Sequence, residues 1–157
     1  MRNMANGVWR GSHTVLLMLH KRELMTDADQ QAQIEALSRV LDDRAGHPSL
    51  RLLAISDGGA PTAAQRAELL RFLREREAPE IPWVLVTSSR FARSVASVVA
   101  ASVPGDYRTY EPSDLRRAAE HLGVGDGEHA DLWRAIRELD QGMGLEAVAE
   151  IAAERGG

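Results

Sequence analysis

The chain has 157 residues, 44% of them hydrophobic, a formal net charge of −4 and no cysteine. The absence of cysteine excludes disulfides, a thiolate nucleophile and Cys-based zinc or iron–sulfur sites. The apolar content argues against disorder, and the slight acidity leaves no overall basic field to hold nucleic acid or an anionic membrane.

The length suits one domain with one core and a short extension. Met1–Arg10 is polar, and the first apolar run, Val15–Leu19, is too short for a signal h-region or a membrane span. The expectation is a cytoplasmic protein with no stable membrane insertion. Lys21 is the only lysine among 19 basic residues. With abundant Ala and Gly, this fits codon bias in a GC-rich genome, so the preference for arginine carries no functional weight.

In chain order, Val8–Gly11 reads as a short edge strand and Thr14–His20 (TVLLMLH) as a buried strand. Thr26 with Asp29 forms a capping-box-like helix start, followed by Ile34, Leu37 and Leu41 on one face and a stop near Gly46 and Pro48. Leu50–Ser56 (LRLLAIS) is a second buried strand. Thr62 with Gln65 is a second capping box, opening a helix with Leu69, Leu70 and Leu73 inward. Trp83–Thr87 (WVLVT) is a third buried strand. Ser88 or Ser89 caps a helix carrying Phe91, Val95, Val98 and Val99, which ends before Pro104-Gly105. Tyr107–Tyr110 is a weaker strand, and Ser113 after Pro112 caps a helix with Leu115, Ala118, Ala119 and Leu122. The buried strands are continuously apolar, the pattern of a parallel sheet covered on both faces. Gly123–Gly127 breaks the alternation. Leu132, Trp133, Ile136 and Leu139, then Leu145, Val148 and Ile151, follow at helical spacing as a two-helix extension. The predicted architecture is a layered α/β fold with a four- to five-stranded, mostly parallel sheet over residues 1–122 and a helical extension over 123–157.

In such sheets function collects where strands end and helices begin. The loop Ser56-Asp57-Gly58-Gly59-Ala60-Pro61-Thr62 is the most distinctive. Its glycines allow a tight turn and close approach of a partner backbone, and Asp57 can accept backbone N–H bonds or face a ligand. Turn and cap chemistry alone also accounts for every residue in it. Thr87-Ser88-Ser89-Arg90, with Arg93, brings hydroxyls, N–H groups and guanidinium groups to a helix start that can take an anion; capping with a solvated helix face is the favoured reading. No GxxxxGK[ST], GxGxxG or GxSxG motif is present. The five histidines lack HxxxH or HxH spacing, so no metal or other cofactor is expected; His20, at a strand end, is the one placed near the candidate face. The alternating charges of Arg66–Glu77 mark a solvated helix face, and Trp9 and Trp133 read as core and cover residues. A receiver-like reading has Asp57 and Thr87 at strand ends. It lacks the acidic pair after the first strand, where His20-Lys21 stand, and the late lysine, where Thr109 stands.

The layout, with ISDGGAPTAAQRAEL, WVLVTSSRFARSVASVV and YRTYEPSDLRRAAEHLGV, resembles STAS and SpoIIAA-like (Sec14-related) domains, and more narrowly small STAS-like proteins of myxobacteria. The resemblance spans about residues 8–122. In anti-sigma-factor antagonists of that fold the loop after the middle strand carries Asp-Ser, whose serine is phosphorylated to switch partner binding. Here that position is Asp57-Gly58, so the phospho-switch serine is absent. The resemblance implies a non-enzymatic module that binds a protein partner through Asp57, Gly58, Gly59, Thr62, Arg66, Thr87, Ser88, Arg90 and Arg93. A homodimer through the small-residue-rich helix Arg93–Val103 is permitted. The alternatives are a small-molecule or lipid carrier of Sec14-like type, with its ligand between sheet and helix, and a degenerate receiver-like signalling domain.

Overall fold

The computed structural model describes residues 3–43, 49–78, 80–102 and 105–155. Five strands, β1 (Met4–Arg10), β2 (Thr14–His20), β3 (Leu50–Ser56), β4 (Trp83–Thr87) and β5 (Tyr107–Tyr110), form one sheet in the order β1-β2-β3-β4-β5. β1 runs antiparallel to β2, from Met4 opposite His20 to Arg10 opposite Thr14. The remaining pairs are parallel. The expected edge strand is longer at its N-terminal side than Val8–Gly11, because ladder pairing carries extended backbone through Asn6-Gly7, a dipeptide that reads as a turn.

Helices α1 (Asp27–Asp42), α2 (Ala63–Glu75) and α3 (Arg90–Ser102) are the crossovers between successive parallel strands. Right-handed crossovers in a sheet ordered sequentially place every connecting helix on the same face. The packing agrees. Leu16 and Met18 of β2 and Leu50 and Leu52 of β3 meet Leu37, Val40 and Leu41 of α1 and Leu69 and Leu73 of α2. Leu85 of β4 meets Ala92 and Ala96 of α3. The other face would lie open without the rest of the chain. Helices α4 (Leu115–His121), α5 (His129–Asp140) and α6 (Glu146–Glu154) cover it. Leu17, Leu19, Leu53, Ile55, Val84 and Val86 pack there with Leu122, Leu132, Trp133, Ile136, Val148 and Ile151. Residues beyond the glycine-rich break thus complete the main core, and Val124 lies in it with Leu122.

Local signals explain the helix starts. Thr26 and Asp29 form a reciprocal capping box at α1, as do Thr62 and Gln65 at α2. The Oγ of Ser89 accepts the N–H of Ala92 at 3.1 Å and so caps α3. The fourth helix differs from expectation: Pro112–Asp114 forms a 3-10 turn with Pro112 in its first positions, and α4 begins at Leu115 without a side-chain cap. The expected stop signals Gly46 and Pro48, and Pro104 and Val103, lie outside the described residues. The strand order also lacks the reversal that gives a flavodoxin-like receiver its switch point.

Candidate functional site

The parallel strands β2, β3 and β4 all end toward one rim, where three loops meet. Ladder hydrogen bonds continue past the strand ends. The N–H of Asp57 donates to the His20 carbonyl at 2.9 Å, and that of Gly59 to the Lys21 carbonyl at 2.8 Å. Ser56 Oγ donates to the Gly59 carbonyl at 2.9 Å and accepts the N–H of Gly58 at 3.0 Å. The loop after β3 is therefore zipped to the loop after β2. Gly59 is buried there, and a Cβ would sit 2.2 Å from both His20 Nδ1 and the Lys21 oxygen, so only glycine fits. Gly58 has φ +132°, a conformation L side chains rarely adopt.

Asp57 has a different role from bracing its own loop. Its carboxylate accepts the N–H of Glu146 at 2.7 Å and of Ala147 at 2.8 Å. These are the first two N–H groups of α6, which have no intrahelical acceptor, and a carboxylate there also complements the helix dipole. The Arg22–Glu146 ion pair at 2.7 Å adds an exposed tie between the same parts. Asp140 Oδ1 accepts the N–H of Leu145 at 2.8 Å. Burial, with a further push from the Asp57 carboxylate, raises the Asp140 carboxyl above its usual range.

The remaining predicted residues divide by exposure. Thr87 is 0% exposed: its Oγ1 donates to the Ser56 carbonyl at 2.7 Å and accepts the N–H of Ser89 at 3.1 Å, tying β3 to the start of α3. A partner cannot touch Thr87 or Gly59, which corrects their assignment to a contact surface; they shape the rim from beneath. Arg66 is half-buried and donates to the Pro61 carbonyl at 2.9 Å, and Arg93 is half-buried and pairs with Glu111 at 3.4 Å. Thr62, Ser88 and Arg90 are exposed. Among the described residues, Leu24 in the loop after β2 and Phe91 in the first turn of α3 are the most exposed large apolar side chains near the rim, at 60% and 62%. In the sequence Phe91 groups with Val95, Val98 and Val99 on its helix, and nothing singles out Leu24. Ser89 caps α3, which buries Ala92 and Ala96 and leaves Phe91 exposed.

His20 is 6% exposed. Its Nδ1 lies 3.2 Å from the Lys21 carbonyl, a contact that requires the proton on that nitrogen. Burial pushes the imidazole below its usual 6.5, opposed by that hydrogen bond and by Asp29 and Glu23. No group of three or more His, Asp or Glu side chains among the described residues is arranged to hold a metal ion. No described helix is long and apolar enough to cross a membrane.

No protein-family model matches the chain, and no curated protein matches it. Among solved structures, it is similar to an uncharacterised protein of the DUF3478 family with a SpoIIAA-like fold from Shewanella loihica PV-4. The TM-score is 0.59 and the identity 15%, over 78% of this chain and 95% of that one. Strand order, the single-face crossovers and this likeness agree that the chain has a SpoIIAA-like α/β fold.

Proposed function

We propose that the chain is a non-enzymatic, cytoplasmic interaction module that binds a protein partner at the rim where the loops after β2, β3 and β4 converge. The observation that carries the reading is the pair of exposed apolar side chains at this rim, Leu24 in the loop after β2, which is hydrogen-bonded to the loop after β3, and Phe91 in the first turn of α3, whose approach Thr87 ties to β3. A rigid rim with apolar anchors and charged neighbours is what a protein partner can use without a large ordering cost. Thr62, Ser88 and Arg90 supply its exposed polar edge, with Gly58, Arg66 and Arg93 partly accessible beside them. Asp57 acts from behind by holding α6, so it is a poor residue to substitute as a surface probe. Gly58 is equally unsuitable, because any side chain there is strained.

The test is affinity capture from the native organism with wild type and with the double variant Leu24→Ser/Phe91→Ser, read by mass spectrometry. A protein retained by wild type and lost by the variant supports the reading. A partner held equally by both sinks this surface. A second reading, a small-molecule or lipid carrier, is favoured by one observation: a cavity lined mainly by apolar side chains beneath α2 and α3.

A further inference from the structure

The two edges of the sheet are defended unequally. β5 is 4 residues long, and Arg108 pairs there with Asp106 at 3.2 Å. A short edge that carries charge discourages strand addition. β1 is 7 residues long, with no proline, and its single charged side chain, Arg10, stands at its end. A longer, nearly uncharged edge is a template for pairing with another chain.

The ladder with β2 fixes which backbone groups face outward. Met4 stands opposite His20 and Arg10 opposite Thr14, so the same register sets Asn3 opposite Lys21 and Gly11 opposite His13. Both flanking pairs are hydrogen-bonded: the Lys21 N–H donates to the Asn3 carbonyl at 2.8 Å, and the Gly11 N–H to the His13 carbonyl at 3.0 Å. Bonded and non-bonded pairs alternate in an antiparallel ladder. Ala5, Gly7 and Trp9 therefore aim their N–H and C=O groups at β2, and Met4, Asn6, Val8 and Arg10 aim theirs away from the sheet. Among the described residues, no hydrogen-bond partner meets the outward groups of Asn6, Val8 and Arg10. Met4 is only 3% exposed, and the loop after β2 folds over that end, where Asn3 Nδ2 donates to the Leu24 carbonyl at 3.2 Å. The open stretch of the edge is Asn6 to Arg10, and Val8 at its middle is 45% exposed.

We propose that this edge joins a second copy of the chain, β1 against β1 and antiparallel, about a twofold axis at Val8. Val8 then lies opposite Val8 of the second copy, and Asn6 opposite Arg10. All of these are outward-pointing positions, so each pair can exchange N–H···O=C bonds. The register uses the open stretch and no more, because the second strand ends at Arg10 before it reaches the covered Met4. The side chains match themselves. On the α1 face the two exposed valines meet across the axis, with Ala36 and Val40 lining the groove beside each. On the other face Trp9, held by its bond to Asp131, stands opposite Gly7, which adds no side chain against it. Arg10 faces an uncharged amide, so no like charges oppose. An unrelated strand would satisfy the backbone alone, whereas a second copy supplies all of these matches. A stretch this short belongs at the weak, reversible end of interfaces. The axis lies toward the Thr14 end of the β1–β2 hairpin, away from the rim at His20, so its failure leaves the rim reading standing.

The experiment is sedimentation velocity of the full chain over a wide concentration range, with Val8→Pro, Val8→Lys and Val8→Glu, each first checked for a dispersed amide spectrum. Wild type is expected to move from the mass of one chain toward twice that mass as concentration rises. Val8→Pro removes an outward N–H that β2 does not use, and should keep the fold while weakening the dimer at least tenfold. Val8→Lys and Val8→Glu each set like charges on the axis at an exposed position; each alone should stay monomeric, and an equimolar mixture should recover the dimer. Should Val8→Pro not fold, the charge pair carries the test. Wild type monomeric throughout would overturn the proposal. A dimer that survives the substitutions at Val8 would put the contact elsewhere, with the face of α3 next. Loss of the dimer in both charge variants with none recovered on mixing would overturn the twofold axis at Val8.

Discussion

The two faces of the sheet are built to different tolerances. On the α4–α6 side one continuous cluster joins four strands to three helices, with Leu19, Ile55, Leu122, Leu132 and Ile136 fully buried. On the α1–α3 side the packing falls into two clusters. The one under α3 consists of three buried residues, two of them alanines, and a cavity lies beside it. The N-terminal crossover helices thus leave space near the rim, and the C-terminal helices supply the dense framework. A protein gives up stability locally to keep a cavity or an exposed apolar anchor, and the cost is carried by packing elsewhere. Here both the cavity and Phe91 belong to the loosely packed side.

The sharpest way to break this contrast is to truncate one residue on the dense face. Ile151→Ala removes a fully buried side chain of α6, and a loss of about 2–5 kcal/mol in urea unfolding is expected. A loss near zero would mean α6 is an appendage. On the other face, Val99→Leu adds a methylene toward existing space, and stability should be unchanged or raised by up to about 1 kcal/mol. Asp57→Ala deprives the first two N–H groups of α6 of their acceptor and should cost about 1 kcal/mol, an effect readable as weaker amide-exchange protection in α6.

The smallest expected effect is the response to pH. Burial depresses the His20 imidazole below 6.5, so between that value and its lower folded value the unfolded chain binds a proton that the folded chain refuses. The contribution of His20 is complete above about pH 6.5 and is lost as pH falls through this window. Urea midpoints from pH 7.5 down to pH 5 should therefore decline less for His20→Gln than for wild type. Identical declines would mean that other groups set the acid dependence.

Much of the fold was legible because its signals are local. Thr26 with Asp29 and Thr62 with Gln65 announce their helices within four residues, and the continuous apolar runs of β2, β3 and β4 announce a sheet covered on both faces. What the chain conceals is long-range. Nothing near Asp57 indicates that its carboxylate meets N–H groups 89 and 90 residues later. The periodicity of Leu132–Leu139 and Leu145–Ile151 marks two amphipathic helices but not the face they cover. Only the sequential strand order, with every crossover on one side, requires them on the other. The cavity was hidden because apolar count alone suggests a filled core; the alanines on the inner face of α3 were the available signal. Helical spacing groups Phe91 with Val95 and Val98, yet α3 turns Ala92 and Ala96 to the sheet and leaves Phe91 and Val98 exposed.

The most direct test of the account is the capture comparison between wild type and Leu24→Ser/Phe91→Ser, run on variants whose urea midpoint matches that of wild type. Exposed side chains of this kind should leave stability within about 0.5 kcal/mol. A specific protein is expected with wild type and is expected to be absent from the variant at unchanged stability. Equal recovery from both would contradict the rim as the working surface.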